Sequence, residues 1–300
     1  MRYIQSFQND AAIQAAVENE SLGKPYIALN EQTSKIDWDT KFDPRKIPMT
    51  LEITGPGVLK IKGGTHNERY SLNGGDYVRV TGETQIQLNV NAGDIVVYRL
   101  DYGGKYYGTF KQSTAQFKVY GKADDYQVSM EFRETFAECS GLTDASNLIL
   151  PEYYPFYQAA FQNCKNLVAP PKLPATTLPI NGCYSVMFQG CSKLATAPEL
   201  PATSLTENCY SQMFKDCTSL ETAPELPATA LTSGCYGQMF RGCTSLKYIK
   251  CLAIDKTASN CLRYWVMGVP SGGTFVKDSN ATWGTGNNGI PSGWTVQDAQ

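Results

Sequence analysis

One motif recurs along more than a third of this chain and constrains every other reading. Phe-x-x-Cys-x-x-Leu occurs at Phe136/Cys139/Leu142, Phe161/Cys164/Leu167, Phe188/Cys191/Leu194, Phe214/Cys217/Leu220 and Phe240/Cys243/Leu246. Successive Phe positions lie 25, 27, 26 and 26 residues apart. A further Leu follows each unit's Leu at Leu148, Leu173, Leu200, Leu226 and Leu252. A second cysteine register runs through Cys183, Cys209, Cys235 and Cys261 at a constant spacing of 26. The segment Ala197–Thr203 returns unchanged as Ala223–Thr229. Self-similarity at this period marks stacked repeat units.

A period of 26 falls in the leucine-rich-repeat range of about 20–29 residues. A single unit has too few apolar side chains to offset the entropy of ordering its backbone, so the units must bury one another in a continuous column. Within a unit, steps of 100° place Cys209, Tyr210, Met213, Phe214 and Cys217 on one arc and Ser211, Gln212 and Lys215 on the other, which predicts a helix. Pro224 then demands an extended stretch. The expected unit is helix, tight turn, short extended stretch and Pro-rich return loop.

The Phe-x-x-Cys-x-x-Leu pattern with its Leu-Pro-Ala-Thr return resembles the BspA-type leucine-rich repeats of surface proteins in anaerobic gut bacteria and their phages. The resemblance covers about residues 130–300. It includes Gly273-Thr274-Phe275-Val276-Lys277 and Gly289–Val296, which are similar to that family's C-terminal cap. It implies an adhesive or ligand-binding solenoid without catalysis. The chain departs from the family in its first repeat, where Pro151–Tyr157 is an aromatic run, and in a start that lacks a secretory h-region.

Ahead of the repeats, residues 1–43 read as a small mixed module with a helix over Ala11–Glu18 and strands at Tyr26–Leu29 and Lys35–Trp38. From Ile47 to Tyr120, short β-like runs alternate with Gly55-Pro56-Gly57, Gly63-Gly64, Asn73-Gly74-Gly75 and Gly103-Gly104, which predicts a β-sandwich. The expected architecture is therefore α+β and multidomain. An N-terminal anchoring module spans 1–43, a β-sandwich 44–122, a leucine-rich-repeat solenoid of about five units 123–268, and a C-terminal cap 269–300.

The chemistry-bearing residues are sparse. The single histidine, His66, removes most hydrolase triads and imidazole mechanisms. A net charge of −2 with no basic run argues against a nucleic-acid partner. No apolar stretch approaches the ~20 residues of a membrane span. The ten cysteines follow the repeat period and contain no Cys-x-x-Cys, as buried core thiols would; a disulfide, or a zinc site of four thiolates from different coils, is the alternative. The acidic residues Asp124, Asp125, Glu131, Glu134 and Glu138 read as a solvated edge, and Gly284–Gly289 as a cap loop. Tyr102, Tyr106 and Tyr107, with Tyr153, Tyr154 and Tyr157, are candidate sugar platforms set against ordinary packing.

No catalytic, cofactor or metal site is expected. The outward positions that differ between near-identical units are the candidate ligand contacts: Glu221, Glu225, Lys247 and Tyr248, with Lys215 and Arg241 as an alternative face. The expected function is non-enzymatic recognition of a bacterial surface glycan or protein by a phage virion or tail-associated protein. In that setting the N-terminal module would bind other virion proteins, and homo-oligomerisation is left open. A bacterial cell-surface adhesin is the alternative.

Overall fold

The computed structural model describes residues 29–30, 35–36, 47–64, 68–82, 84–100, 108–123, 131–150 and 156–300. The expected helix at Ala11–Glu18, His66, Asp124, Asp125 and the tyrosines at 102, 106, 107, 153 and 154 lie outside these residues. Strands β1 (Leu29–Asn30) and β2 (Lys35–Ile36) pair antiparallel.

Six further strands, β3 (Thr50–Gly55), β4 (Gly57–Ile61), β5 (Glu68–Leu72), β6 (Val78–Val80), β7 (Ile86–Val90) and β8 (Ile95–Leu100), precede the repeats. They are followed by β9 (Gln116–Lys122) and β10 (Leu142–Ile149). One sheet has the order β10-β9-β3-β8-β5-β6, and β4 pairs with β7 in a second. Leu51, Ile53, Val96, Tyr98 and Phe117 of the large sheet share a core with Leu59, Ile61 and Val90 of the small one. The other face of the large sheet has its own small cluster, Ile95, Val97 and Tyr120 with Ile47 against them.

The expected α+β class is overturned, because the described residues contain no helix and are all-β. The expected helix at Cys209–Cys217 is a chain of tight turns. Asn208, Gln212 and Asp216 have φ of 54°, 56° and 61°, so every fourth residue is left-handed and a right-handed helix cannot propagate. The N–H groups then divide into two sets. Those of Ser211, Met213, Lys215 and Cys217 donate to the carbonyl three residues back. Those of Tyr210, Gln212, Phe214 and Asp216 donate to Cys235, Gly237, Met239 and Arg241 in the next coil. An α-helix would keep all of these bonds within itself; here half of them fasten one coil to the next. A period of four and a period of 3.6 bury the same positions over nine residues. Cys209, Tyr210, Met213, Phe214 and Cys217 are therefore buried as expected, although the conformation is different.

The core of the stack is a column of rings. Phe110, Phe136, Phe161, Phe188, Phe214 and Phe240 lie near-parallel with centroids 5.3, 5.6, 5.5, 5.8 and 5.9 Å apart. Tyr157, Tyr184, Tyr210 and Tyr236 form a second column at 5.5, 5.7 and 6.1 Å. The thiols of Cys139, Cys164, Cys191, Cys217 and Cys243 each donate to the carbonyl of the Phe one coil back, at 2.9–3.1 Å. All ten cysteines are buried and free.

Phe110 shows that the stack begins one coil earlier than the motif. Phe110-x-x-Ser113 keeps the ring and the left-handed residue (Gln112, φ 62°), with a hydroxyl in place of the thiol. Ser113 Oγ donates to the Phe110 carbonyl at 2.6 Å. The strand that follows, β9, pairs parallel with β10 of the next coil and antiparallel with β3. One sheet thus crosses the boundary expected between 122 and 123. Gly141 is required at this junction, since a Cβ there would lie 1.9 Å from the Ala115 carbonyl oxygen.

At the far end, β11 (Tyr248–Cys251), β12 (Thr274–Lys277) and β13 (Thr295–Asp298) form a parallel sheet, one strand from each successive coil. Trp265 takes the Phe position below Phe240, and its Nε1 donates to the Gly289 carbonyl at 2.7 Å. Asn288 Oδ1 accepts from the Tyr264 N–H, and the Asn287 carbonyl accepts from the Val266 N–H. The glycine-rich loop Gly284–Gly289 therefore closes the last coil. No helix among the described residues is long and apolar enough to cross a membrane.

Candidate functional site

Each coil turns outward immediately after its core Leu, and the next coil holds that position in line. The Lys247 N–H donates to the Glu221 carbonyl and the Thr274 N–H to the Lys247 carbonyl, both at 2.8 Å. One residue further, Thr196, Thr222, Tyr248, Thr274 and Thr295 form a continuous parallel ladder. Parallel strands of this kind lie about 4.8 Å apart. The side chains that follow the core Leu are consequently presented as a row: Val168, Ala195, Glu221 and Lys247, all exposed.

A shallow groove of ≈ 390 Å³ runs across this row between two coils, lined by Ala195, Thr196, Ala197, Glu221, Thr222, Ala223 and Pro224. Its walls are small because alanine, threonine and proline fill the turn between the Leu positions. Glu221 Oε2 lies 3.9 Å from Lys247 Nζ, with both side chains about two-thirds exposed. Glu225 Oε1 lies 3.0 Å from Lys250 Nζ. Exposed pairs of this kind contribute little to stability, so a ligand can exchange them at small cost. Tyr248 is half-buried at the start of β11.

The six sequence-predicted residues fall into two rows. Glu221, Glu225, Lys247 and Tyr248 belong to the ladder side. Lys215 and Arg241 belong to the turn-built segment, in the row that follows each core Phe, where both are half-buried. Arg241 Nη1 donates to Gln238 Oε1 at 2.8 Å, and Gln162 Nε2 donates to Gln189 Oε1 at 2.9 Å in the same row. Sequence reasoning missed Lys250 and the groove threonines. The period-two pattern of Tyr248 and Lys250 in a strand would have pointed to Lys250; Thr196 and Thr222 carry no local signal.

A larger cleft of ≈ 700 Å³ lies where the β-strands meet the first coils, lined among others by Lys62, Gly64, Gln85, Lys111, Arg133 and Glu134. Lys111 Nζ bridges Glu134 at 2.9 Å and Glu138 at 3.8 Å, and Arg133 lies 3.5 Å from Glu134. The Lys111 hydrogen bond holds the Glu134 carboxyl below its usual range and raises the ammonium in return. The acidic edge is thus engaged with cations. Nearby, Glu68 is fully buried; its Oε2 accepts the Gly64 N–H, and burial raises its carboxyl to about 7. Among the described residues, no group of three or more His, Cys, Asp or Glu side chains is placed to hold a metal. Tyr157, a candidate sugar platform, is instead buried as the first ring of the Tyr column.

Compared with protein-family models, curated proteins and solved structures, the chain matches none.

Proposed function

We propose that this is a non-enzymatic recognition protein whose ladder face contacts a bacterial surface glycan or protein. The observation that carries the reading is a contrast within each coil. Core positions repeat almost without change, whereas the exposed row beside the groove runs Val168, Ala195, Glu221, Lys247. Packing demands the first regularity and makes no demand on the second. The stack converts this divergence into a surface, because neighbouring coils hold their outward side chains in register. Exposed threonines and a flexible ion pair beside small apolar walls suit the hydroxyl and C–H groups of a sugar or a polar protein loop.

The resemblance of the Phe-x-x-Cys-x-x-Leu units to BspA-type repeats supports a bacterial surface as the target and a phage virion as the setting. The test is binding of the full chain to a panel of bacterial surface glycans and to whole cells. Glu221→Ala/Lys247→Ala and Thr222→Arg are compared with wild type. Loss of at least tenfold in affinity in both variants supports the ladder face. Wild-type binding that both variants retain moves recognition elsewhere.

A further inference from the structure

We propose that β13 is the contact through which two copies of this chain join, edge to edge across a two-fold axis. The first strand of its sheet, β11, has neighbours on both sides. It is bridged to the preceding coil at Thr222–Tyr248 and Leu226–Cys251 and paired with β12. β13 pairs with β12 alone, and all four of its residues are exposed. The N–H groups of Thr295 and Ala299 donate inward, to the Gly273 and Lys277 carbonyls. Main-chain groups alternate in direction along a strand, so those of Val296 and Asp298 face outward, with no strand beyond them among the described residues.

An open edge of this kind is ordinarily blunted by a lysine, a proline or a bulge. Thr295-Val296-Gln297-Asp298 has none of these, and its register with β12 is unbroken. Its one charge is already balanced, since Lys277 Nζ lies 2.6 Å from Asp298 Oδ1. Apolar surface collects at the same end. Ile249, Phe275 and Val296 are in register on one face of the sheet; the first two are fully buried, whereas Val296 is 44% exposed. The outward rows Gln212–Gln238 and Lys215–Arg241 continue at the same spacing of 26 into exposed Tyr264 and Met267, beside the loop that closes the last coil. Outward rows that turn apolar where the stack ends are those a docked neighbour would cover.

The register names the occupant as a second copy. Antiparallel self-pairing about Asp298 sets two carboxylates directly opposite, which is destabilising. Pairing about Val296 calls on Trp294, whose N–H is already bonded to the Pro291 carbonyl. Pairing about Gln297 meets neither obstacle, because each Val296 exchanges both main-chain bonds with Asp298 of the other copy. The two Gln297 side chains then meet across the axis, and an amide both donates and accepts. The strand is thus complementary to itself in charge and in hydrogen bonding. Opposite residues of an antiparallel pair project to one face, so the two ladders share one side of a continuous sheet. Recognition becomes bivalent, a consequence that rests on the ladder-face reading, whereas the contact itself does not.

The experiment is sedimentation of the full chain over a wide range of concentration, for wild type, Val296→Pro, Gln297→Glu and Gln297→Lys, each with its far-UV spectrum. Wild type is expected to reach twice the 33.0 kDa of one chain. Val296→Pro removes an outward N–H and no bond to β12, so it should weaken dimerisation at least tenfold with the spectrum retained. Gln297→Glu and Gln297→Lys each oppose like charges and should be monomeric alone, whereas their equimolar mixture should dimerise. The proposal is overturned if wild type stays at the mass of one chain or assembles beyond the dimer. It is also overturned if Gln297→Glu dimerises as wild type does, or if the mixture stays monomeric. Should Val296→Pro not fold, the charge pair at exposed Gln297 decides the question alone.

Discussion

Removing one ring from the middle of the column tests the stack as a physical object. Phe214 is fully buried, with Phe188 on one side at 5.8 Å and Phe240 on the other at 5.9 Å, inclined by only 7° and 4°. Phe→Ala in a core costs about 3–5 kcal/mol, depending on how far the site can collapse. Here collapse is blocked, because the Phe188 and Phe214 N–H groups are bonded to Met213 and Met239 of the following coils, each at 3.0 Å. Two ring pairs are lost as well, each contributing about 0.5–1.5 kcal/mol beyond simple burial. Phe214→Ala should therefore cost about 4–5 kcal/mol, the upper end of the core range. Lys215→Ala, at the next residue but half-exposed, should cost no more than about 0.5 kcal/mol. Equilibrium urea unfolding of the full chain measures both, followed by far-UV dichroism and by tryptophan fluorescence. Equal costs for the two variants, or a Phe214→Ala cost under about 1.5 kcal/mol, would refute the ring column as the source of stability.

Three other expectations use different parts of the structure. Val186 has a φ of 52°, which a β-branched residue tolerates poorly, so Val186→Gly should stabilise the chain by about 1 kcal/mol. In a helix the same change would destabilise it, so the sign of the shift in urea midpoint distinguishes turn from helix. Burial pushes the Cys139, Cys183 and Cys251 thiols up to about 12. Native protein at pH 8 should accordingly resist a thiol reagent, with Cys261 the first to react and all ten reacting in denaturant; fast native labelling of several thiols would contradict the buried ladder. Glu68 is raised from 4.5 to about 7, so the folded chain holds a proton that the unfolded chain releases. Its contribution is complete below pH 4.5 and is lost as pH rises through 7, by at most about 3 kcal/mol. Unfolding measured from pH 4.5 to 7.5 should show this slope in wild type and a flatter one in Glu68→Gln; parallel slopes would place the titration elsewhere.

The divided face of the candidate site was half legible. Divergence at Glu221 and Lys247 is visible by comparing one unit with the next. The assignment of Glu221, Glu225, Lys247 and Tyr248 to one row and of Lys215 and Arg241 to another follows the six-residue offset within the unit. The groove between coils has no counterpart in any single unit, because its two walls come from Ala195–Ala197 and Glu221–Pro224. Cross-strand neighbours are likewise invisible locally: Arg69, Arg79 and Arg99 are unevenly spaced along the chain, and only strand pairing sets Arg69 opposite the other two.

By itself, the order of amino acids determined the length of a coil, the identity of its buried Phe, Cys and Leu, and the burial of the thiols. Those properties depend on the spacing of apolar side chains, which is written locally. The tertiary structure alone decided the backbone between them. Over the nine residues of Cys209–Cys217, a left-handed residue at every fourth position and a helical turn bury the same side chains, so apolar spacing does not separate them. The choice was made by hydrogen bonds to partners 25 residues away, such as Phe214 N–H to Met239, available only once the next coil is in place. The same reason hid the first coil. Ser113 and Gln116 break the motif at the Cys and Leu positions, yet the Phe110 ring stacks on Phe136 and its N–H bonds to Thr135, so neighbouring structure makes it a member of the column.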